Sequence, residues 1–378
     1  MSGWIDLRRI RPPDGTTRLP NAAVIMLTFT RNRLSTLGLS VNRNIASLVQ
    51  LTGSAKSFDL RTAVQCHLPE VEGSPEAADQ AVADALRGMV NDHRLRGRSV
   101  VSCLSTDELI VETVRLPQLP IDEIAKAVQW EAAERLSIPS DQTEVRHLLA
   151  GEVRQDNSVK QEVILIACPR DLIRRRLKIL ESAGLLPVGL DIEPCAFLRS
   201  LFRAQGSLES TRTAYLYCSE SGTTVMFAEG RRILFLKSIP MGGKQFDDAV
   251  SKNLGVDQTI AHQMRTEVFS ARVLDGENEI HRSIIESLRP CFETIIEEME
   301  LCIRYHKVTF RGRPLDGLIM SGSEAAPWLT EYFCDRVGLP CKGVTPLDGV
   351  TINAPGSIQN RSGRWATPLG LAMKRLPE

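Results

Sequence analysis

Short apolar runs broken by polar pairs open the readable part of this chain. LGLSV (37–41), IASLVQL (45–51) and FDLRTAVQC (58–66) are β-branched or alternating runs, with polar breaks at 42–44 and 53–56. Such runs predict strands, and their close spacing predicts an antiparallel meander. The period then changes. In residues 75–95 apolar positions recur at Ala78, Val82, Leu86 and Val90, the spacing of a helix with one buried face. RSVVSCL (98–104) and ELIVETVRLP (108–117) return to the strand pattern. Strands, a helix and strands again predict parallel pairing through a crossover helix.

A second block reads helix (121–136), strand (145–153), polar turn, strand (162–168), helix (171–183). Gly184 follows that last helix, where a left-handed glycine is expected. Pro117 and Pro187 mark the edges of this small α+β module. A third block repeats the opening: TAYLYCS (213–219), GTTVMFAEG (222–230) and RRILFLKSIP (231–240) form a second three-strand meander. Helices are expected at 244–253, 258–268, 280–306, 328–338 and 367–376, with a strand at 315–323 running into a Gly/Ser turn. A duplicated β-β-β-α unit with a module inserted in its first half is a specific architecture within the α/β class.

Composition narrows the partners. The chain has 378 residues, 43% hydrophobic and 24% charged, with 46 basic and 46 acidic residues. A balanced charge gives no electrostatic reason to expect nucleic acid. No apolar run reaches the length needed to span a bilayer, and no secretory signal is apparent. Nine cysteines without a CxxC pair sit mostly inside apolar runs and read as free thiols rather than as a zinc site. Residues 1–35 carry several prolines and arginines and little periodicity, and read as a flexible leader in which Met26 is an alternative start. Glu286, Glu293, Glu297, Glu298 and Glu300 read as a solvated helix face. RDLIRRRLK (170–178) is a basic face without the interleaved aromatics of a nucleic-acid site. No Ser/His/Asp or GxSxG signature is present, so no catalytic residue is expected.

The duplication resembles the actin-like, ribonuclease-H-type fold. The order of several stretches is similar to the PilM family of type IV pilus assembly proteins, with the division protein FtsA more distant. LGLSVNRNIASLVQL resembles the first phosphate segment, and LPQLPIDEIAKAVQWEAAERLSIP the start of the inserted subdomain. The stretch from ILIACPRDLIRRRLK through GLDIEPCAFLRSL resembles the end of that subdomain. IPMGGKQFDDAVSKNLG resembles the glycine-pair segment, and GLIMSGSEAAPWL the adenosine segment. The resemblance implies a first domain of 36–116 and 188–210, to which 350–378 returns. It implies an inserted subdomain of 117–187 and a second domain of 211–349.

Both phosphate loops of the family read Asp-x-Gly; the acids position magnesium and water, and the glycines admit phosphate. Here Ser40 and Asn42 stand in the first loop, Ser47 replaces a lysine, and Tyr217 and Ser219 stand in the second. The resemblance leaves Ser40, Asn42, Arg43, Asn44, Ser221, Gly222, Thr223, Gly242, Gly243, Gly322 and Ser323 as a vestigial nucleotide site without a metal. The expectation is therefore no cofactor, with ATP bound but not cleaved as the alternative. By resemblance, the groove between the module and the first domain, flanked by 121–136 and the strands near 110–116, would take the N-terminal peptide of a PilN-like single-span membrane protein. WIDLRRI (4–10) has a similar pattern and is a candidate to occupy that groove in cis. The expected role is a cytoplasmic scaffold of a type IV pilus or type II secretion-like machine, reaching the membrane only through its inner-membrane partners. An active ATPase or small-molecule kinase and an FtsA-like filament protein are the alternatives.

Overall fold

The computed structural model describes residues 34–42, 44–69, 73–93, 95–136, 139, 141–155, 158–206, 209–271, 273–310, 313–353 and 361–376. Residues 1–33, with the 4–10 segment, lie outside the described residues, whereas Leu34 and Ser35, expected in the flexible leader, are ordered by pairing: Leu34 bridges Thr52 and the Ser35 N–H donates to the Leu51 carbonyl at 2.9 Å. β1 (Leu37–Asn42), β2 (Ile45–Gly53) and β3 (Phe58–His67) form the antiparallel meander. α1 (Pro75–Asp92) then crosses back. Its first turn is fixed by Ser74, whose hydroxyl accepts from the Ala77 N–H at 3.3 Å, and by proline at the first helical position. α1 buries Ala83, Leu86, Met89 and Val90 and delivers β4 (Ser99–Leu104) parallel to β1.

The second half repeats this plan. β9 (Arg212–Cys218), β10 (Thr223–Glu229) and β11 (Arg232–Ile239) form a meander, followed by α5 (Gly243–Leu254), α6 (Gln258–Ser270) and the long α7 (Glu279–Thr309). β12 (Gly317–Ser321) then pairs with β9 in parallel, and α8 (Pro327–Val337) follows. All seven residues of β9 are buried because both faces are covered. Ala214, Leu216 and Cys218 pack toward α5 and α7, while Tyr215 and Tyr217 pack toward the first domain. A strand buried on both faces reads as a continuous apolar run.

Two elements that the pattern did not announce complete the first domain. β8 (Leu186–Ile192) pairs in parallel with β4, and α4 (Glu193–Ala204) follows it. β13 (Thr351–Ile352) adds to the other edge, giving the order β13-β3-β2-β1-β4-β8. α9 (Ala366–Met373) returns to lie between α4 and β1. Contact there is backbone to backbone: any side chain at Gly370 would strike the Ala196 carbonyl.

The inserted module holds β5 (Ile110–Pro117), α2 (Ile121–Arg135), β6 (Thr143–Gln155), β7 (Ser158–Pro169) and α3 (Arg170–Ser182). Its sheet order is β5-β7-β6. Residues 108–117, assigned from the sequence to the first domain, supply a strand that pairs with β7, so the module's sheet begins at Ile110. The strands also extend past the polar turn into a longer hairpin than the sequence suggested. One face packs Val163, Leu165 and Ala167 against Ile124, Val128 and Ala132 of α2. The other face turns Leu148, Ala150, Ile164 and Ile166 toward the body of the protein. Gly184 closes α3 with φ +76°, as expected. On α3, Arg174, Arg175 and Arg176 pair with Asp171, Asp79 and Glu108, so the basic face is largely matched by carboxylates. Cys341 is exposed, whereas Cys103, Cys168, Cys218, Cys291, Cys302 and Cys334 are buried. His306 is buried edge-on to Phe227 at 5.2 Å; burial, then the charge of Arg212, lowers its pKa to about 4. It is a neutral core ring.

Candidate functional site

α4 and α9 pack between the two sheets, and the β9–β10 hairpin meets the first domain at Thr106 and Asp107. On the first-domain side Ser40 is buried and pairs across the strands with Ser47. Asn42 and Asn44 flank the turn, where the Asn44 carbonyl accepts from the Leu68 N–H at 2.7 Å. Arg43 lies outside the described residues. Ser47 accepts from Gln65 Nε2 at 2.7 Å, and Gln65 Oε1 accepts from Arg364 Nη1 at 3.0 Å. A cation thus reaches this wall from a segment some three hundred residues away. Burial, then the neighbouring Arg361, lowers the pKa of Arg364.

On the second-domain side Tyr217 is 3% exposed. Its ring stacks on Phe197 of α4 with centroids 4.5 Å apart and planes at 2°, and its hydroxyl accepts from Thr367 Oγ1 of α9 at 2.8 Å. The ring therefore fills the space between the β9 end and both connecting helices. Ser219 donates both its N–H and its hydroxyl to the Gly222 carbonyl, at 2.9 Å each, closing the β9–β10 turn on itself. Ser221 donates to Asp107 at 3.2 Å and Thr224 donates to Thr106 at 3.0 Å, so hydroxyls here bridge to the first domain. Thr223 donates to the Met241 carbonyl at 2.6 Å.

The glycines are engaged by the chain itself. The Gly243 N–H donates to the Ser219 carbonyl at 3.0 Å, and a side chain at Gly243 would collide with the Glu220 carboxylate. Gly322 has φ +109° and packs on the Cys218 carbonyl so closely that a Cβ cannot fit. The Ser323 carbonyl accepts from Arg361. The sequence-predicted residues Ser221, Gly222, Thr223, Gly242, Gly243, Gly322 and Ser323 are thus brought together around one turn.

Behind them lies an ionic network that the sequence did not reveal. Arg265 of α6 is fully buried; it donates to Asp247 of α5 at 2.6 Å and to Glu324 after β12. Arg361 Nη2 also reaches Glu324 at 3.2 Å, and His262 pairs with Asp247 at 2.9 Å. Burial opposes ionisation of both carboxylates, yet the adjacent cations hold them below the usual range. Glu220 is pushed up to about 7, first by burial and then by Glu324. Asp247, Glu324 and Glu220 are opposed here by Arg265, Arg361 and His262, so the network behind the glycine pair is close to charge-balanced and its cations are already engaged by the chain's own carboxylates.

Glu193, at the start of α4, is a second buried acid. Its Oε2 accepts from the Thr106 N–H and hydroxyl, each at 3.3 Å, while Oε1 has no partner. Burial pushes its pKa from 4.5 to about 7. A folded-state pKa above the unfolded one means stability is full below 4.5 and is lost as pH rises through about 7. For a fully buried group a shift of this size corresponds to about 3 kcal/mol. Glu220 titrates in the same direction, and His262, raised by its bond to Asp247, loses its own contribution above 6.5. Glu193→Gln keeps the acceptor for Thr106 and removes the charge. Its melting temperature is expected to match the parent at pH 5 and exceed it at pH 8; an unchanged slope between these values refutes the assignment.

The groove expected beside the 121–136 helix is placed differently. α2 covers the face of the module's sheet that points away from the first domain. The recess between module and first domain is lined instead by Leu104, Leu109, Leu148, Ile166, Leu190 and Ile192.

Two meander-plus-parallel-strand sheets, related by duplication and joined by α4 and α9, define an actin-like α/β protein. A family model described as type IV pilus assembly protein PilM matches residues 38–376. The chain belongs to that family of type IV pilus assembly proteins. Among solved structures it is similar to one described as the PilM–PilN type IV pilus biogenesis complex, with 21% identity over 90% of this chain and 98% of that one and a TM-score of 0.74. It is also similar to the ethanolamine utilization protein EutJ from Carboxydothermus hydrogenoformans, with 14% identity over 90% and 89% of the two chains and a TM-score of 0.51. Among the described residues no helix is long and apolar enough to cross a membrane.

Proposed function

We propose that the chain is a cytoplasmic scaffold of type IV pilus assembly that binds a short N-terminal peptide of a PilN-like single-span membrane subunit and does not hydrolyse nucleotide. The observation that carries the second half is Tyr217. A stacked, hydrogen-bonded aromatic ring stands where the family's acid is expected in the second loop, and Ser40 supplies no carboxylate at the acid position of the first. A hard cation needs oxygen ligands, commonly carboxylates, to hold it against phosphate. The partner reading is supported by the apolar recess between module and first domain and by the likeness to the PilM–PilN structure. The recess holds only about 20 Å³, so a partner's side chain enters it only as the walls move apart.

Calorimetric titration of the full chain with magnesium-ATP is expected to show no saturable heat up to about millimolar concentration, with phosphate release at background. In parallel, the N-terminal peptide of the single-span subunit is expected to bind, and Leu109→Glu, which introduces a charge at the recess, to weaken it by about ten-fold or more. Turnover above background replaces the scaffold reading with the ATPase one. Peptide binding untouched by Leu109→Glu removes the recess as its site.

A further inference from the structure

Three arginines converge on one carboxylate at the end of the second domain. Arg212 opens β9, Arg232 opens β11 and Arg313 precedes β12, and all three pair with Glu229 at the end of β10. Asp316 also lies here, its Oδ2 accepting from the Arg212 N–H at 2.7 Å, so two carboxylates face three guanidiniums and one positive charge is left over. Arg212 is the buried member, at 8% exposure. Its Nε reaches Glu229 at 3.2 Å and its guanidinium lies 5.7 Å from the Phe310 ring centroid. Its Nη1 has no hydrogen-bond partner. A buried guanidinium donor left open is uncommon, because its desolvation goes uncompensated. The neighbouring His306 ring is neutral and offers no counter-charge.

Arg212, Thr309 and Phe310 form one wall of a cleft of about 250 Å³, and Glu152, Val153, Arg154 and Val159 of the β6–β7 hairpin form the other. It lies between the module and the second domain and shares no lining residue with the recess on the first domain. Glu152, the carboxylate in its wall, accepts from Gln118 Nε2 at 3.0 Å. Arg154 is exposed, and among the described residues no carboxylate pairs with it. Val159 is 37% exposed. The cleft therefore sets two guanidiniums, one of them buried with an unpartnered nitrogen, against the single lining carboxylate of Glu152, beside an apolar lining, in a volume that suits one or two side chains rather than a cofactor.

We propose that this cleft docks an acidic–apolar peptide segment of a protein partner, with a carboxylate directed at Arg212 and Arg154 and an adjacent apolar side chain against Phe310 and Val159. A partner seated there touches the module and the second domain at once. An anionic lipid surface is the weaker fit, because it needs a broad exposed basic face and this charge is recessed between two elements. The proposal does not depend on the groove assigned above, and its test reads this cleft alone.

The test is fluorescence anisotropy of the full chain with labelled acetyl-Glu-Leu-Asp-Leu-Glu-amide. Saturable binding is expected, weakening as salt is raised. Arg154→Glu and Val159→Asp, both at exposed positions, are each expected to weaken it by about ten-fold with an unchanged melting temperature. Four outcomes overturn the proposal: no saturation at millimolar peptide, equal binding of the lysine-for-acid peptide, wild-type affinity in both variants, or sedimentation with phosphatidylglycerol vesicles in place of peptide binding.

Discussion

Arg265→Leu is expected to lower stability by about 3–5 kcal/mol, the range for removing one partner of a buried ionic group. Arg265 is the common cation of Asp247 and Glu324, and its guanidinium lies beside the Phe246 and Phe269 rings, 5.9 and 5.2 Å from their centroids. Leucine keeps part of the apolar contact and leaves two carboxylates facing each other in a site with little water. Arg361 and His262 remain, which holds the loss to a few kcal/mol rather than the whole fold. A denaturant midpoint measures it. Arg265→Leu combined with Glu324→Gln should recover about a third or more of the loss, since the second change removes a stranded charge. A single-variant loss below about 1 kcal/mol would show that Asp247 and Glu324 do not depend on Arg265.

Tyr217→Asp, which places an acid where the resemblance leads one to expect it, is expected to cost about 3–5 kcal/mol and to leave ATP turnover at background. Truncating a buried aromatic forfeits apolar burial and opens a cavity, and the new carboxylate would lie against Phe197 with Thr367 as its nearest donor. The aspartate alone does not rebuild the site, because Ser40 stays opposite it and Glu220 and Glu324 still line the glycine pair. Thermal unfolding and phosphate release read the two halves separately. Wild-type stability together with new magnesium-dependent turnover would show that the tyrosine is the single block to catalysis.

The duplication was readable because each meander is local: strand, turn and strand lie within a few residues, and their alternation is set by which face is covered. β8 and α4 were missed for different reasons. β8 carries Pro187 and Gly189, which weaken a strand pattern, whereas α4 does carry a helical spacing, Phe197, Leu198, Leu201 and Phe202 against Arg199 and Arg203, in a short run directly after a strand that hides its start. β5 was recognised as a strand but placed in the wrong sheet. Its alternation is the same whichever partner it has, and β7 lies about fifty residues away. At the candidate site, turn glycines and hydroxyls could be found by motif. Arg265, Asp247 and Glu324, or Arg364 and Gln65, are distant in sequence and carry no signature until the chain brings them together.

α9 sits inside the first domain, yet every other element of that domain except β13 is synthesised more than 150 residues earlier. Until it arrives, Val49, Leu51 and Leu60 lack Leu369 and Ala372 as cover, and one face of the meander is bare. The second domain, contiguous along the chain, closes first. At about 5–20 residues per second the ribosome takes roughly ten to thirty seconds to travel from α4 to α9. Through that interval one face of the first domain's meander stays uncovered. The duplicated architecture thus gives holdase chaperones a client surface on every molecule made, and a slowly translated stretch before α9 would lengthen the exposure without altering one contact of the finished fold.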